Sequence, residues 1–108
     1  EVTQNEQDFL GSILDLARTF GWSCCHFRPA LITIKGHETY RTAIQGDIGF
    51  PDLVLAREGS PIYFLEVKSE KGRVSLKQGK WLKLLDRGGT PAFVVRPSDW
   101  DTLVELLK

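Results

Sequence analysis

The stretch from Gly49 to Lys68 constrains this chain more than any other. Gly49-Phe50-Pro51-Asp52-Leu53-Val54-Leu55-Ala56-Arg57 and Ile62-Tyr63-Phe64-Leu65-Glu66-Val67-Lys68 are apolar runs rich in β-branched and aromatic residues, separated by Glu58-Gly59-Ser60-Pro61. That is the pattern of a β-hairpin, with Pro51 requiring the first strand to begin at or after it. Alternation in the second strand puts Ile62, Phe64, Glu66 and Lys68 on one side and Tyr63, Leu65 and Val67 on the other. If the turn is centred near Gly59, Asp52 lies opposite Glu66, with Cβ atoms about 4.5 to 5.5 Å apart.

Two carboxylates and an ammonium therefore converge at one end of the hairpin. Taken singly, Glu66 and Lys68 read as an exposed ion pair on an edge strand, worth little. Taken together with Asp52 they read differently, because a strand as apolar as Tyr63 to Val67 is expected to be covered on both faces, and charges are seldom buried without partners or a metal. Hard oxygen donors of this kind suit Mg²⁺ or Mn²⁺, and a neighbouring cation can hold or activate a water.

Pro51-Asp52, thirteen intervening residues and Glu66-Val67-Lys68 resemble the PD-(D/E)xK motif of the restriction-endonuclease-like nucleases. The form Gly49-Phe50-Pro51-Asp52, followed by Gln78, is more specifically similar to the VRR-NUC domain, the virus-type replication-repair nuclease, and the resemblance extends over nearly the whole chain. Such domains occur as small stand-alone phage proteins and as the catalytic part of larger repair nucleases.

Composition agrees with a single domain covering residues 1–108. The chain has 108 residues, 42% hydrophobic and 26% charged, enough for one core. No apolar run approaches the ~18 residues of a spanning helix, and nothing resembles a secretory signal, so the expected location is the cytoplasm, or the host cytoplasm if the chain is phage-encoded. Cys24 and Cys25 are adjacent and without further cysteine partners, which gives neither a disulfide framework nor a zinc site; they read as small strand residues. Net charge is zero, which evenly spread would argue against a nucleic-acid partner. It is not evenly spread. Between Glu66 and Arg87 stand Lys68, Lys71, Arg73, Lys77, Lys80, Lys83 and Arg87 against only Glu66, Glu70 and Asp86, a local excess of four positive charges that suits a polyanion.

In chain order, Thr3-Gln4-Asn5-Glu6 fits a capping box, and Phe9, Leu10, Ile13, Leu14, Ala17 and Phe20 recur at helical spacing until Gly21, predicting a helix from about Gln4 to Phe20. Trp22 to Phe27 and Leu31 to Lys35 read as strands interrupted by Arg28-Pro29, and His26 as a packed strand residue. From Gly36 to Gly49 periodicity is lost, which predicts a polar, substrate-facing flap. Lys35 and Arg41 are candidate phosphate contacts there, although solvated loop charge explains either alone. Ser75-Leu76-Lys77-Gln78 is a second capping box, opening a helix to about Arg87 that ends at Gly88-Gly89, with Gln78, Trp81, Leu82 and Leu85 inward and Arg73, Lys77 and Lys80 among the residues offered to DNA. Gly79 costs that helix roughly 1 kcal/mol against alanine, as expected where a backbone or a phosphate comes close. Ala92 to Arg96 is an apolar strand, and Ser98 caps a final helix. The order is helix, strands, hairpin, helix, strand, helix. It predicts an α/β fold, a restriction-endonuclease-like core (α-β-β-β-α-β-α) in which a mixed sheet is flanked by helices and the last strand runs parallel to the second hairpin strand.

The resemblance implies a site and an activity. Asp52, Glu66 and the Val67 carbonyl would hold Mg²⁺ or Mn²⁺, completed by a glutamate from the first helix, for which Glu6 is the matching position. Lys68 would be the catalytic lysine, and Gln78 would orient the attacking water or the phosphate beside it. The activity implied is metal-dependent cleavage of DNA. Stand-alone members are similar to junction resolvases, so the expected substrate is branched DNA such as a Holliday junction, and the expected assembly is a homodimer. The alternatives are a flap or single-strand nuclease, or a non-catalytic DNA-binding module with a nuclease fold.

Overall fold

The computed structural model describes residues 2–28, 30–42 and 44–108, with main chain alone for residues 2–5 and 30. Helix α1, Val2–Thr19, buries Phe9, Ile13 and Ala17 at four-residue spacing. It ends because Gly21 adopts φ +85°, letting Gly21 N–H donate to Arg18 and Trp22 N–H donate to Ala17, the left-handed helix stop that glycine makes without strain. Strand β1, Ser23–His26, follows, then β2, Ala30–Ile34, and β3, His37–Arg41. The predicted hairpin is β4, Leu53–Ala56, and β5, Tyr63–Val67. Helix α2, Leu76–Arg87, leads to β6, Ala92–Val95, then a 3-10 turn, Pro97–Asp99, and α3, Trp100–Leu107.

A four-stranded sheet runs in the order β1-β4-β5-β6, antiparallel except for the parallel pair β5–β6. The hairpin register pairs Leu53 with Leu65, Val54 with Phe64 and Leu55 with Tyr63, the register the turn position predicts. One sheet face carries Leu53, Leu55, Leu65, Val67 and Val95 into a core with Phe9, Ile13, Ala17, Trp22, Leu103 and Leu107. Burial of these apolar side chains is what holds α1 and α3 to that face. The other face carries Phe64 and Glu66, with Phe50 packed edge-on against both Phe64 and Trp81. Arg57 ties the two ends of the core together: its guanidinium stacks 4.3 Å over Trp22 and donates to the carbonyls of Phe20, Leu107 and Lys108.

Four local expectations are corrected. Residues 37–41 of the expected flap are strand β3, paired with β2 in a separate two-stranded sheet. Lys35 (φ 51°) and Gly36 (φ 81°) form the two-residue turn between them, and positive φ at both positions matches the twist of a hairpin. The final helix is capped at Asp99 rather than Ser98, whose N–H instead bonds the Glu70 carboxylate. Helix α1 already includes Thr3, so Thr3 stands inside the helix rather than before it. A Cβ on Gly79 would meet nothing within 4 Å, so no backbone crowds that position. The side chains of Thr3, Gln4 and Asn5, and Pro29, lie outside the described residues. Among the described residues no helix is long and apolar enough to cross a membrane.

Candidate functional site

Asp52 sits immediately before β4, and its main-chain carbonyl accepts from Phe27 N–H at 2.8 Å, so β1 fixes its position from one side. From the other side β5 holds the carboxylate itself, Val67 N–H donating to Asp52 Oδ1 at 3.2 Å. Glu66 is buried, 3% exposed, on the central strand. Two groups meet its Oε2: Gln78 Nε2 donates to it at 3.1 Å, and Lys68 Nζ stands 3.7 Å away. The capping role expected of Gln78 is present, and its side-chain amide reaches Glu66 as well. Ser75 Oγ accepts from Gln78 N–H at 3.1 Å and Gln78 Oε1 accepts from Ser75 N–H at 2.9 Å, which turns the amide NH₂ toward Glu66.

Gly49 makes that arrangement possible. It has φ +99°, and a Cβ there would lie 2.7 to 2.9 Å from the main chain of Lys77 and Gln78. The chain entering the site thus packs directly on the start of α2. Trp81 Nε1 fastens the same segment by donating to the Asp47 carbonyl at 3.1 Å. On the far side of Lys68, Arg96 holds the turn after β5 by donating to the carbonyls of Ser69 (2.7 Å), Glu70 (3.2 Å) and Gly72 (2.7 Å).

These groups open onto a groove of about 1590 Å³. Asp52, Glu66, Val67, Lys68 and Gln78 line it together with Glu6, Leu10 and Leu14 of α1 and with Tyr40, Thr42, Ile44, Gln45, Asp47 and Phe50. Because the Val67 side chain is buried in the core, Val67 presents main chain to the groove. Burial raises the Asp52 carboxyl to about 6, with further upward pressure from Glu6. Burial and the neighbouring Asp52 raise Glu66 to about 7, Lys68 opposing them. His26, also in the groove, is lowered by burial and by Arg28.

The structure brings Asp52, Glu66, Lys68, Gln78, Glu6 and the Val67 main chain to one groove. It does not bring Lys35, Arg41, Arg73, Lys77 and Lys80 there: Lys35 is at the tip of the β2–β3 hairpin, Arg41 at its base, and the other three are exposed at or before α2. The groove's own basic side chains are Lys68 and Arg28, the latter missed in the sequence reading along with Phe27 and Tyr40. Tyr40 carried no hairpin signal, since the Lys35-Gly36 turn that places it lacks the asparagine, aspartate or second glycine that marks a two-residue hairpin.

The family model of the VRR-NUC domain matches residues 21–99, well over half of the chain. The chain belongs to the VRR-NUC domain family. The match includes Asp52, Glu66, Lys68 and Gln78, while Glu6 precedes it. No curated protein and no solved structure matches the chain. Membership in the VRR-NUC family implies nuclease-type DNA processing, with DNA as the substrate.

Proposed function

We propose that this VRR-NUC domain is a metal-dependent, structure-specific endonuclease that hydrolyses phosphodiester bonds in branched DNA such as four-way junctions, acting as a homodimer. The observation that carries the reading is buried Glu66 beside half-buried Asp52, with Lys68 3.7 Å from Glu66, in a groove large enough for a nucleic-acid strand.

The donor set fits Mg²⁺ or Mn²⁺. Asp52, Glu66 and the Val67 carbonyl are all hard oxygens, and such ions commonly use one or two carboxylates with waters and phosphate oxygens for the rest. Among the described residues no three His, Cys, Asp or Glu side chains gather into a metal cluster; the set proposed here is two carboxylates and a main-chain oxygen, with Glu6 adding negative field from α1. A divalent cation bound there supplies positive charge at the phosphoryl oxygens and acidifies a coordinated water. The chain's own residues do the positioning. Gln78 fixes Glu66 Oε2, the Val67 N–H fixes Asp52 Oδ1, and Lys68 orients the attacking water or accepts its proton.

The groove holds one set of Asp52, Glu66 and Lys68, and cutting two strands of a junction together needs two such sets, which two copies would supply. The test is cleavage of labelled four-way junction, flap, single-stranded and duplex DNA with Mg²⁺, Mn²⁺ or EDTA. Metal-dependent cutting strongest on the junction is expected. Cutting confined to flaps or single strands would replace the resolvase reading, and binding without cutting under every metal would leave a non-catalytic DNA-binding module.

A further inference from the structure

Four aromatic rings line the groove, and they are not equivalent. Phe50 is engaged edge-on with Phe27, Phe64 and Trp81, at centroid distances of 6.0, 5.6 and 5.0 Å, and is spent on packing. Phe27 makes that one ring contact and remains 41% exposed. Tyr40 is 69% exposed, and among the described residues it has no ring partner. Ile44, 45% exposed, lies in the same lining. Two exposed aromatic side chains thus line the same groove as the carboxylates Asp52 and Glu66 and the cations Lys68 and Arg28.

We propose that Tyr40 and Phe27 form a stacking subsite for an unpaired nucleobase of the strand whose phosphate lies at Asp52 and Glu66. The inference deepens the nuclease reading and rests on it for the path of that strand. Continuity of the two places is direct: Phe27 N–H is bonded to the Asp52 carbonyl, so the ring issues from main chain adjoining the carboxylate. The occupant needs a flat π-face attached to a phosphate backbone, and a nucleotide has both. It must be unpaired or extruded, because a base inside a duplex hides its faces in the stack. Stacking on an aromatic side chain is tolerant of sequence, since every base has such a face. The subsite accordingly selects DNA with unpaired nucleotides beside the cut, without selecting sequence.

The test uses binding rather than cutting. Affinities of the wild type, Tyr40→Ala and Tyr40→Phe for a labelled oligothymidylate and for a blunt duplex are measured by fluorescence anisotropy in EDTA at fixed salt. Tyr40→Ala is expected to weaken single-strand binding at least about fivefold while leaving the duplex unchanged, with Tyr40→Phe within about twofold of wild type. Tyr40 is exposed, so the substitutions leave the core intact, which thermal melts of all three proteins verify. Equal loss on both DNAs, no loss on either, a Tyr40→Phe defect as large as that of Tyr40→Ala, or a wild type that does not hold single strands would each overturn the subsite. A protein that shows the expected pattern yet cuts nothing would refute the nuclease reading and leave the subsite standing.

Discussion

Glu66 is held by two donors of different kinds, and removing either has a distinct consequence. Gln78→Ala takes away the amide that meets Oε2 and the acceptor for Ser75 N–H. With one fewer group favouring the carboxylate form, Glu66 binds its proton more tightly, so the pH–rate profile is expected to move to higher pH; an unmoved profile would show that the amide does not act on Glu66. Lys68→Ala removes the ammonium 3.7 Å away and with it the group assigned to the water. Single-turnover cleavage should fall by about 10² or more while DNA affinity holds, and full activity would remove the lysine from the chemistry. At this scale the sequence was informative, because period-two alternation and a turn at Gly59 suffice to set Asp52 against Glu66. Of the contacts Gln78 makes, the cap was legible and the bond to Glu66 was not, since nothing in the sequence reports that one amide reaches both. Arg28 and Arg96 were not legible as site or turn residues, because long-range contacts chose them.

The elements are positioned by close approach more than by side-chain reach, and two glycines separate the cases. Gly49→Ala forces a Cβ to within 3 Å of the main chain at Lys77 and Gln78, in a conformation that L residues rarely adopt. It should cost about 1 to 3 kcal/mol in urea unfolding and displace the start of α2, lowering activity with it; wild-type stability would contradict the packing described. Gly79 faces open space. Gly79→Ala should therefore stabilise the chain by up to about 1 kcal/mol, and lost cleavage in a stabilised Gly79→Ala protein would reveal a phosphate at that position. The helices were legible from apolar spacing and from the glycine stops at Gly21 and Gly88-Gly89. Strand β3 was not, because His37-Glu38-Thr39-Tyr40-Arg41 is mostly polar and its pairing with β2 depends on the Lys35-Gly36 turn, whose first residue carries no obvious preference for positive φ.

Across the whole molecule, the price of gathering two carboxylates in a buried groove is a dependence on pH. Asp52 and Glu66 both bind protons more tightly in the folded chain, at about 6 and about 7, than their ordinary values of 3.8 and 4.5. Protonation therefore favours the fold, and the stability these two groups contribute is present at low pH and lost as pH rises through those values. Without divalent ions the thermal midpoint should fall between about pH 5 and about pH 8, and added Mn²⁺ should flatten the decline, since an ion that binds only the folded chain opposes it. A midpoint that rises over that range in EDTA would contradict the burial argument. The homodimer predicts a light-scattering mass of twice 12.2 kDa at micromolar concentration, and a monomeric mass would exclude it. The mixed sheet flanked by helices was legible because each apolar run matched one period. The β2–β3 hairpin was not, as none of its described side chains is buried in the core.

The most direct measurement is the rate of Mn²⁺-dependent cleavage of a labelled branched DNA by wild type beside Asp52→Ala, with thermal melts verifying that the variant is folded. If Asp52 and Glu66 form the metal site of a nuclease, the wild type cuts, EDTA stops it, and Asp52→Ala falls by more than about a hundredfold. A folded Asp52→Ala protein that cuts at the wild-type rate would place the chemistry elsewhere.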